Sequence, residues 1–149
     1  MIKIITIENL SDMKALAESL ANHVFPGFTL GLEGDLGAGK TTFTQFFGKA
    51  LGVKEHINSP TFTIMKHYQG RVFLNHVDAY RLEGSYSDPN IEEYIYSEGV
   101  SVIEWYPFII DSMPETFLKL HIRFVENTKR VVTLEGSGTY ETIIEKLGY

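Results

Sequence analysis

Cysteine is absent from the 149-residue chain. That excludes a disulfide framework, thiolate zinc or iron–sulfur sites and a cysteine nucleophile. Basic residues are scarce. Thirteen Lys and Arg stand against nineteen Asp and Glu, for a formal net charge of −6. Sequence-independent binding of nucleic acid by the chain alone is therefore not expected, because neutralising phosphates needs clustered Lys and Arg. Long apolar runs are missing too, and none reaches the roughly 18 residues that would span a bilayer. The apolar start over residues 1–6 carries only Lys3 and is closed by Glu8 and Asp12, so it does not read as a signal peptide. Surface scaling has a chain of this mass bury about two-thirds of its unfolded surface, enough for a core without staples. The expectation is one domain over 1–149, soluble and cytoplasmic, with no membrane partner.

No repeat, low-complexity tract or linker divides the chain. The β-branched run 2–7 predicts a strand. Ser11 predicts a helix start, with Met13, Leu16, Ala17 and Leu20 on one face and an end near Asn22, before Pro26 and Gly27. A strand follows over 28–33, then a glycine-rich turn, then a helix over 41–51 stopped by Gly52. Segments 61–67 and 71–77 flank Tyr68-Gln69-Gly70 as a hairpin. Residues 80–90 are polar and read as a loop, and 91–97 as a turn or two of helix. The apolar run 100–105 is a buried-type strand. Segments 117–125 and 130–134 flank Asn127-Thr128-Lys129 as a second hairpin, and 139–147 is an amphipathic helix. Strands interleaved with helices predict an α/β fold. The hairpins add antiparallel pairs, so the central sheet is expected to be mixed parallel and antiparallel, flanked by helices in three layers.

Gly34-Asp35-Leu36-Gly37-Ala38-Gly39-Lys40-Thr41 fits G-x-x-x-x-G-K-[ST] at every required position. The loop must wrap a polyphosphate with backbone N–H groups, so Gly34, Gly37 and Gly39 keep the backbone close and adopt unusual dihedrals. Lys40 brings a point charge to the β- and γ-phosphates, and Thr41 offers a hydroxyl to Mg²⁺. Thr42 is a helix-surface residue or a second phosphate contact. The helix that follows puts its positive N-terminal end under the phosphates. At ordinary glycine usage, chance gives this pattern in under about one in a hundred chains of this length. The strand before it and the helix after it fit as well, so the motif identifies a P-loop NTPase-type fold. ATP is favoured over GTP. The segment nearest a guanine reader, Asn127-Thr128-Lys129-Arg130, has Arg where an Asp must accept from the base.

P-loop proteins hold Mg²⁺ with an acidic residue at the end of a nearby strand. The strand ending in Asp78 offers one, unless Asp78 only caps a turn. Ala79 follows where hydrolytic ATPases often carry Glu, which leaves Glu104 as the candidate for polarising water. Glu104 lies in Val100-Ser101-Val102-Ile103-Glu104-Trp105, where a carboxylate is expensive without a partner. The alternative is an edge-strand Glu facing solvent. Trp105 is expected to pack over the rim of the site. Ser59-Pro60-Thr61-Phe62 lies where switch-type NTPases carry a hydroxyl that senses the γ-phosphate, so Ser59 and Thr61 are candidates. Read alone, the segment is a proline turn entering a strand. His76, Tyr80 and Arg81 flank Asp78, and Arg81 is a contact to phosphate or to a partner or, equally, a surface charge. His67 and His121 read as packed or solvated strand residues.

Taken together, the P-loop with Thr42, Ser59-Pro60-Thr61-Phe62, His76-Val77-Asp78-Ala79-Tyr80-Arg81-Leu82 and Glu104-Trp105 resemble the bacterial TsaE family, also called YjeE or YdiB. These are the small ATPases of tRNA threonylcarbamoyladenosine (t6A) biosynthesis. The resemblance covers nearly the whole chain. It is loosest from Phe117 onward, and Tyr106-Pro107 is a mild variant. It implies weak, Mg²⁺-dependent ATP hydrolysis and no direct modification chemistry. It also implies work with the two sugar-kinase-fold subunits that threonylcarbamoylate adenosine 37, with tRNA met only through that complex. Lys40 carries over as the phosphate lysine, Thr41 and Asp78 as the Mg²⁺ side, Thr61 as part of the switch-like segment, and Glu104 as the acidic residue of hydrolysis, on water or in the metal shell.

Two other readings stay open on the residues. One is a small P-loop metabolite kinase, although Arg71, Arg81, Arg123 and Arg130 are dispersed rather than gathered in a basic lid. The other is a nucleotide-binding interaction module with negligible turnover.

Overall fold

The computed structural model describes residues 1–35, 37–60, 64–83 and 89–149, apart from the side chain of Pro89. Among the described residues seven strands form one sheet: β1 (Ile2–Ile7), β2 (Thr29–Gly34), β3 (Met65–Gln69), β4 (Phe73–Asp78), β5 (Val100–Glu104), β6 (Leu118–Glu126) and β7 (Lys129–Glu135). Their spatial order is β1-β7-β6-β2-β5-β4-β3. The four central strands run parallel, β6 with β2, β2 with β5 and β5 with β4. The flanking pairs β1–β7, β6–β7 and β3–β4 are antiparallel. The sheet is mixed, as the two hairpins predict.

Alternation along the strands sorts their side chains to two faces. Leu30, Leu32, Leu118, Leu120, Ile122, Val132 and Leu134 join one core cluster with helices α1 (Leu10–Ala21), α2 (Lys40–Ala50) and α4 (Thr139–Lys146). Val77 and Ile103 face the other way, toward α3 (Pro89–Ile95) and a 3₁₀ segment, Tyr106–Ser112. The result is three layers around the sheet. Tyr140 ties α4 to β2, because its hydroxyl accepts the Thr29 N–H at 3.0 Å. Among the described residues no helix is long and apolar enough to cross a membrane.

Three local expectations need correction. Helix α1 is capped by Asn9, whose side chain accepts the Asp12 N–H at 3.0 Å, and not by Ser11, which lies within the helix. The first hairpin turns two residues later than predicted, because Tyr68 and Gln69 still pair with Leu74 and Phe73. The polar run after Asp78 begins with a short 3₁₀ turn, Tyr80–Leu82, and α3 already starts at Pro89. The part of the predicted loop over 84–88 lies outside the described residues.

Candidate functional site

Parallel strands bring their C-terminal ends to one edge of the sheet, where ligands of open α/β folds bind. Here β2 leads into the phosphate-type loop, β4 ends at Asp78 and β5 at Glu104. The register sets Asp78 directly beside Glu104 across the β4–β5 pair. A cleft of about 240 Å³ opens at this edge, lined by Gly37, Gly39, Lys40, Thr41, Thr42, Ser59, Asp78, Glu104 and Trp105. Two larger hollows lie elsewhere, about 440 Å³ beside Met113–Phe117 and about 630 Å³ beside Phe46 and Val53. Volume does not single out the smaller cleft. The convergence of a lysine, three hydroxyls and two carboxylates does.

The loop's glycines have different reasons. Gly37 and Gly39 have φ of 79° and 113°, which other residues rarely adopt. Gly34 has no such dihedral. A Cβ there would stand 2.5 Å from the Ile122 carbonyl oxygen, so its constraint is close packing on β6. Lys40 is buried, and its Nζ donates to the carbonyls of Gly34 and, at 3.2 Å, of Asp35. It also sits 4.8 Å from the centroid of the Trp105 ring, a cation–π contact. The lysine is therefore held from the loop on one side and the β5 end on the other. Thr41 Oγ1 lies 3.4 Å from Ser59 Oγ, which links the start of α2 to the Ser59-Pro60 segment. Leu36 and Thr61 lie outside the described residues, as do Phe62 and Thr63.

Glu104 does not face solvent at a sheet edge. It is 3% exposed on a central strand, and its Oε2 meets His76 Nε2 at 2.7 Å. His76 is wholly buried. An ionised carboxylate can only accept, so the proton of this bond is assigned to Nε2. His76 Nδ1 has no hydrogen-bond partner among the described residues. The sequence reading noted His76 only as a neighbour of Asp78. The spacing H-x-D on a strand puts His76 and Asp78 on one face, but that this face is shared with Glu104 follows only from the β4–β5 pairing.

Burial holds the Asp78 carboxyl above the usual carboxylate range. The Tyr80 N–H, donating to Oδ1 at 3.0 Å, opposes this, the Glu104 charge adds to it, and His76 and Lys40 pull it back down. A divalent cation beside Asp78 would favour the charged form outright. Among the described residues no cluster of three or more His, Cys, Asp and Glu forms an all-protein metal cage. One hydroxyl, one or two carboxylates and open space suit Mg²⁺, which keeps waters and takes phosphate oxygens.

Directly after Glu104 the chain turns through Trp105, which has left-handed dihedrals (φ 59°, ψ 37°). Such a conformation costs a side-chain-bearing residue about 1–2 kcal/mol. It lays the indole against Tyr80 and Phe108, with ring centroids 5.1 and 5.5 Å away. Trp105 thus packs on the rim, as expected. Arg71 donates to the Ala21 carbonyl at 2.6 Å, far from the cleft, and Arg81 and Arg123 are exposed. His67 is exposed, with Nδ1 2.8 Å from Asn75 Oδ1 and its ring against Tyr94, and His121 is exposed too.

A family model described as "Threonylcarbamoyl adenosine biosynthesis protein TsaE" matches residues 7–132. The chain is 41% identical over 141 residues to the tRNA threonylcarbamoyladenosine biosynthesis protein TsaE of Bacillus subtilis, covering 93% of this chain and 89% of that one. It is 37% identical to the protein of the same name from Treponema pallidum, over 72% and 82% of the two chains. The crystal structure of Bacillus subtilis YdiB superposes with a TM-score of 0.84 at 36% identity, over 99% of this chain and 95% of that one.

Proposed function

The chain belongs to the TsaE family of threonylcarbamoyl adenosine biosynthesis proteins, and from that premise we propose that it is an ATP-driven component of t6A synthesis on tRNA. In this reading it binds Mg·ATP, hydrolyses it weakly, and acts in the cytoplasm on the two sugar-kinase-fold subunits that carry out the transfer. It meets tRNA only through their complex, since a net charge of −6 gives the chain little attraction for a nucleic-acid backbone.

The observation that carries the reading is the convergence of Lys40, Thr41, Asp78 and Glu104 on one cleft at the C-terminal ends of β2, β4 and β5. Backbone N–H groups at Gly37, Gly39 and Lys40 take the phosphates, and Lys40 adds the fixed charge. Thr41 and Asp78 would hold Mg²⁺, which would supply positive charge against the phosphates. Glu104, with Oε2 held by His76, uses its remaining lone pairs to orient the attacking water. Attack on the γ-phosphorus forms one P–O bond and breaks the bridge to the β-phosphate, and ADP, phosphate and the water's proton leave.

ATP acts here as a switch. The Ser59-Pro60 segment, already beside Thr41, is ordered by the γ-phosphate and presents a surface to the partner. Coupling of this kind is reciprocal, so a partner that binds the ATP form better must tighten ATP by the same factor. Affinity for the transferase subunits should be measured with ATP, with ADP and without nucleotide, alongside phosphate release with and without the subunits. The switch reading expects the ATP state to bind tighter. Equal affinity in all three states removes it, and a phosphorylated small molecule in place of free phosphate makes the protein a kinase.

A further inference from the structure

Asn127-Thr128-Lys129-Arg130 forms the tip of the β6–β7 hairpin, and its last residue reaches back to the phosphate loop. Arg130 lies on the same face of β7 as Val132 and Leu134, and its Nε donates to the Ala38 carbonyl at 2.9 Å. Its Nη1 donates to the carbonyls of Asn127 at 3.0 Å and Lys129 at 3.2 Å. The guanidinium carbon stands 4.6 Å from the centroid of the Phe124 ring. The planar fork is thus fixed by the turn on one side and by an aromatic ring, and a third donor is aimed at the loop. Arg130 does not line the cleft; it approaches the loop from behind.

A trans peptide carries its C=O and its N–H in opposite directions. Drawing the Ala38 carbonyl toward Arg130 therefore turns the Gly39 N–H the other way, and Gly39 is a lining residue of the cleft. Gly39 has a φ of 113°, so no side chain restrains this peptide from within the loop. The Arg130 guanidinium supplies this peptide with an external, charged donor. The N–H groups of such a loop are the ones that cradle the α- and β-phosphates.

We propose that Arg130 is a positioning residue for nucleotide binding: it locks the Ala38–Gly39 peptide with its N–H toward the phosphates. The proposal rests on the reading of this cleft as an ATP site. Its signature differs from that of Lys40, which reaches toward the γ-phosphate. Loss of Arg130 affects a contact that ADP and ATP share.

The test is calorimetric titration of the full chain with Mg·ATP and Mg·ADP, together with steady-state phosphate release. Arg130→Met, which keeps an unbranched apolar chain at this position and removes the guanidinium, is expected to weaken ATP and ADP alike by about ten-fold, the weight of one charge-assisted hydrogen bond. KM for ATP rises with it and kcat stays within about two-fold, because no group at the reacting phosphorus is touched. Arg130→Lys, the variant if Met disturbs the hairpin, keeps the charge without the fork and restores the affinity only in part. Thr128→Ala removes another contact of the same hairpin, the 2.7 Å bond to the Glu8 carbonyl, and binds as wild type does. Wild-type affinity in Arg130→Met, full restoration by Arg130→Lys, or a loss confined to kcat each overturns the proposal. Lys40→Ala run in parallel separates the two levels. If it too binds ATP normally, the ATP reading of the cleft fails; if it loses ATP while Arg130→Met does not, only the role of Arg130 falls.

Discussion

His76 and Glu104 stand on adjacent parallel strands with Nε2 and Oε2 2.7 Å apart, at 0% and 3% exposure. A buried carboxylate of this kind persists because it has a partner. Removing one member of such a pair leaves an uncompensated charge and costs about 3–5 kcal/mol. His76→Ala is accordingly expected to unfold at markedly lower denaturant concentration than wild type. His76→Gln, whose amide can still donate to Glu104, recovers part of that loss. The pair also has a kinetic consequence: in His76→Gln, phosphate release should fall more than ATP affinity, since only the orientation of Glu104 has changed. Chemical denaturation and phosphate release on the two variants check both statements.

Asp78 illustrates a cost that the site imposes on the fold. Its folded carboxyl lies above the ordinary range, chiefly through burial. The folded state then holds the proton more tightly than the unfolded chain, so stability from this group falls as pH rises from the ordinary carboxylate range through the folded value. Asp78→Asn keeps an acceptor for the Tyr80 N–H and removes the charge. Without nucleotide and Mg²⁺ it should melt above wild type at neutral pH, and the gap should close as the pH is lowered into the carboxylate range. With Mg·ATP the order should reverse, because the variant gains less from the ligand. Thermal melts across pH test this; a variant that melts below wild type at neutral pH without ligand contradicts it.

The loop glycines separate two physical causes. Gly34→Ala drives a Cβ to 2.5 Å from a backbone oxygen of β6, which has no room to give, so destabilisation of about 1–3 kcal/mol is expected. At Gly37 nothing among the described residues stands within 4 Å of the added atom, and the positive φ opposes it, for about 1–2 kcal/mol. Gly34→Ala should therefore expand the β2–β6 contact and disturb the core, while Gly37→Ala should act on nucleotide affinity with little change in the far side of the sheet. Hydrogen exchange on β6 distinguishes the two.

Much of this site could be read from the chain because its determinants are local. The G-x-x-x-x-G-K-T run, the strand before it and the helix after it lie within a few turns of each other. The strand ends at Asp78 and Glu104 follow from apolar runs closed by a carboxylate. What escaped was set by pairing across the sheet. The His76–Glu104 bond depends on β4 and β5 being parallel neighbours, and a hydrophobic pattern does not specify which strands pair. The Arg130–Ala38 bond spans 92 residues of sequence and relies on β7 lying two strands from β2. The 3₁₀ segment Tyr106–Ser112 has no helical period to reveal it; it exists because Trp105 turns the chain with left-handed dihedrals. At α1, Asn9 and Ser11 are both good capping residues, and only the geometry of the first turn decides between them.

Replacing Glu104 by Gln tests the account most directly, since the side chain keeps its volume and its oxygen toward His76 and loses only its charge. Phosphate release at saturating Mg·ATP should fall by about 10²–10⁴-fold, the usual weight of a positioned general base, while the ATP dissociation constant stays within a few-fold of wild type. Phosphate release at the wild-type rate, alone and with the transferase subunits present, would contradict the account and leave Glu104 as a structural partner of His76.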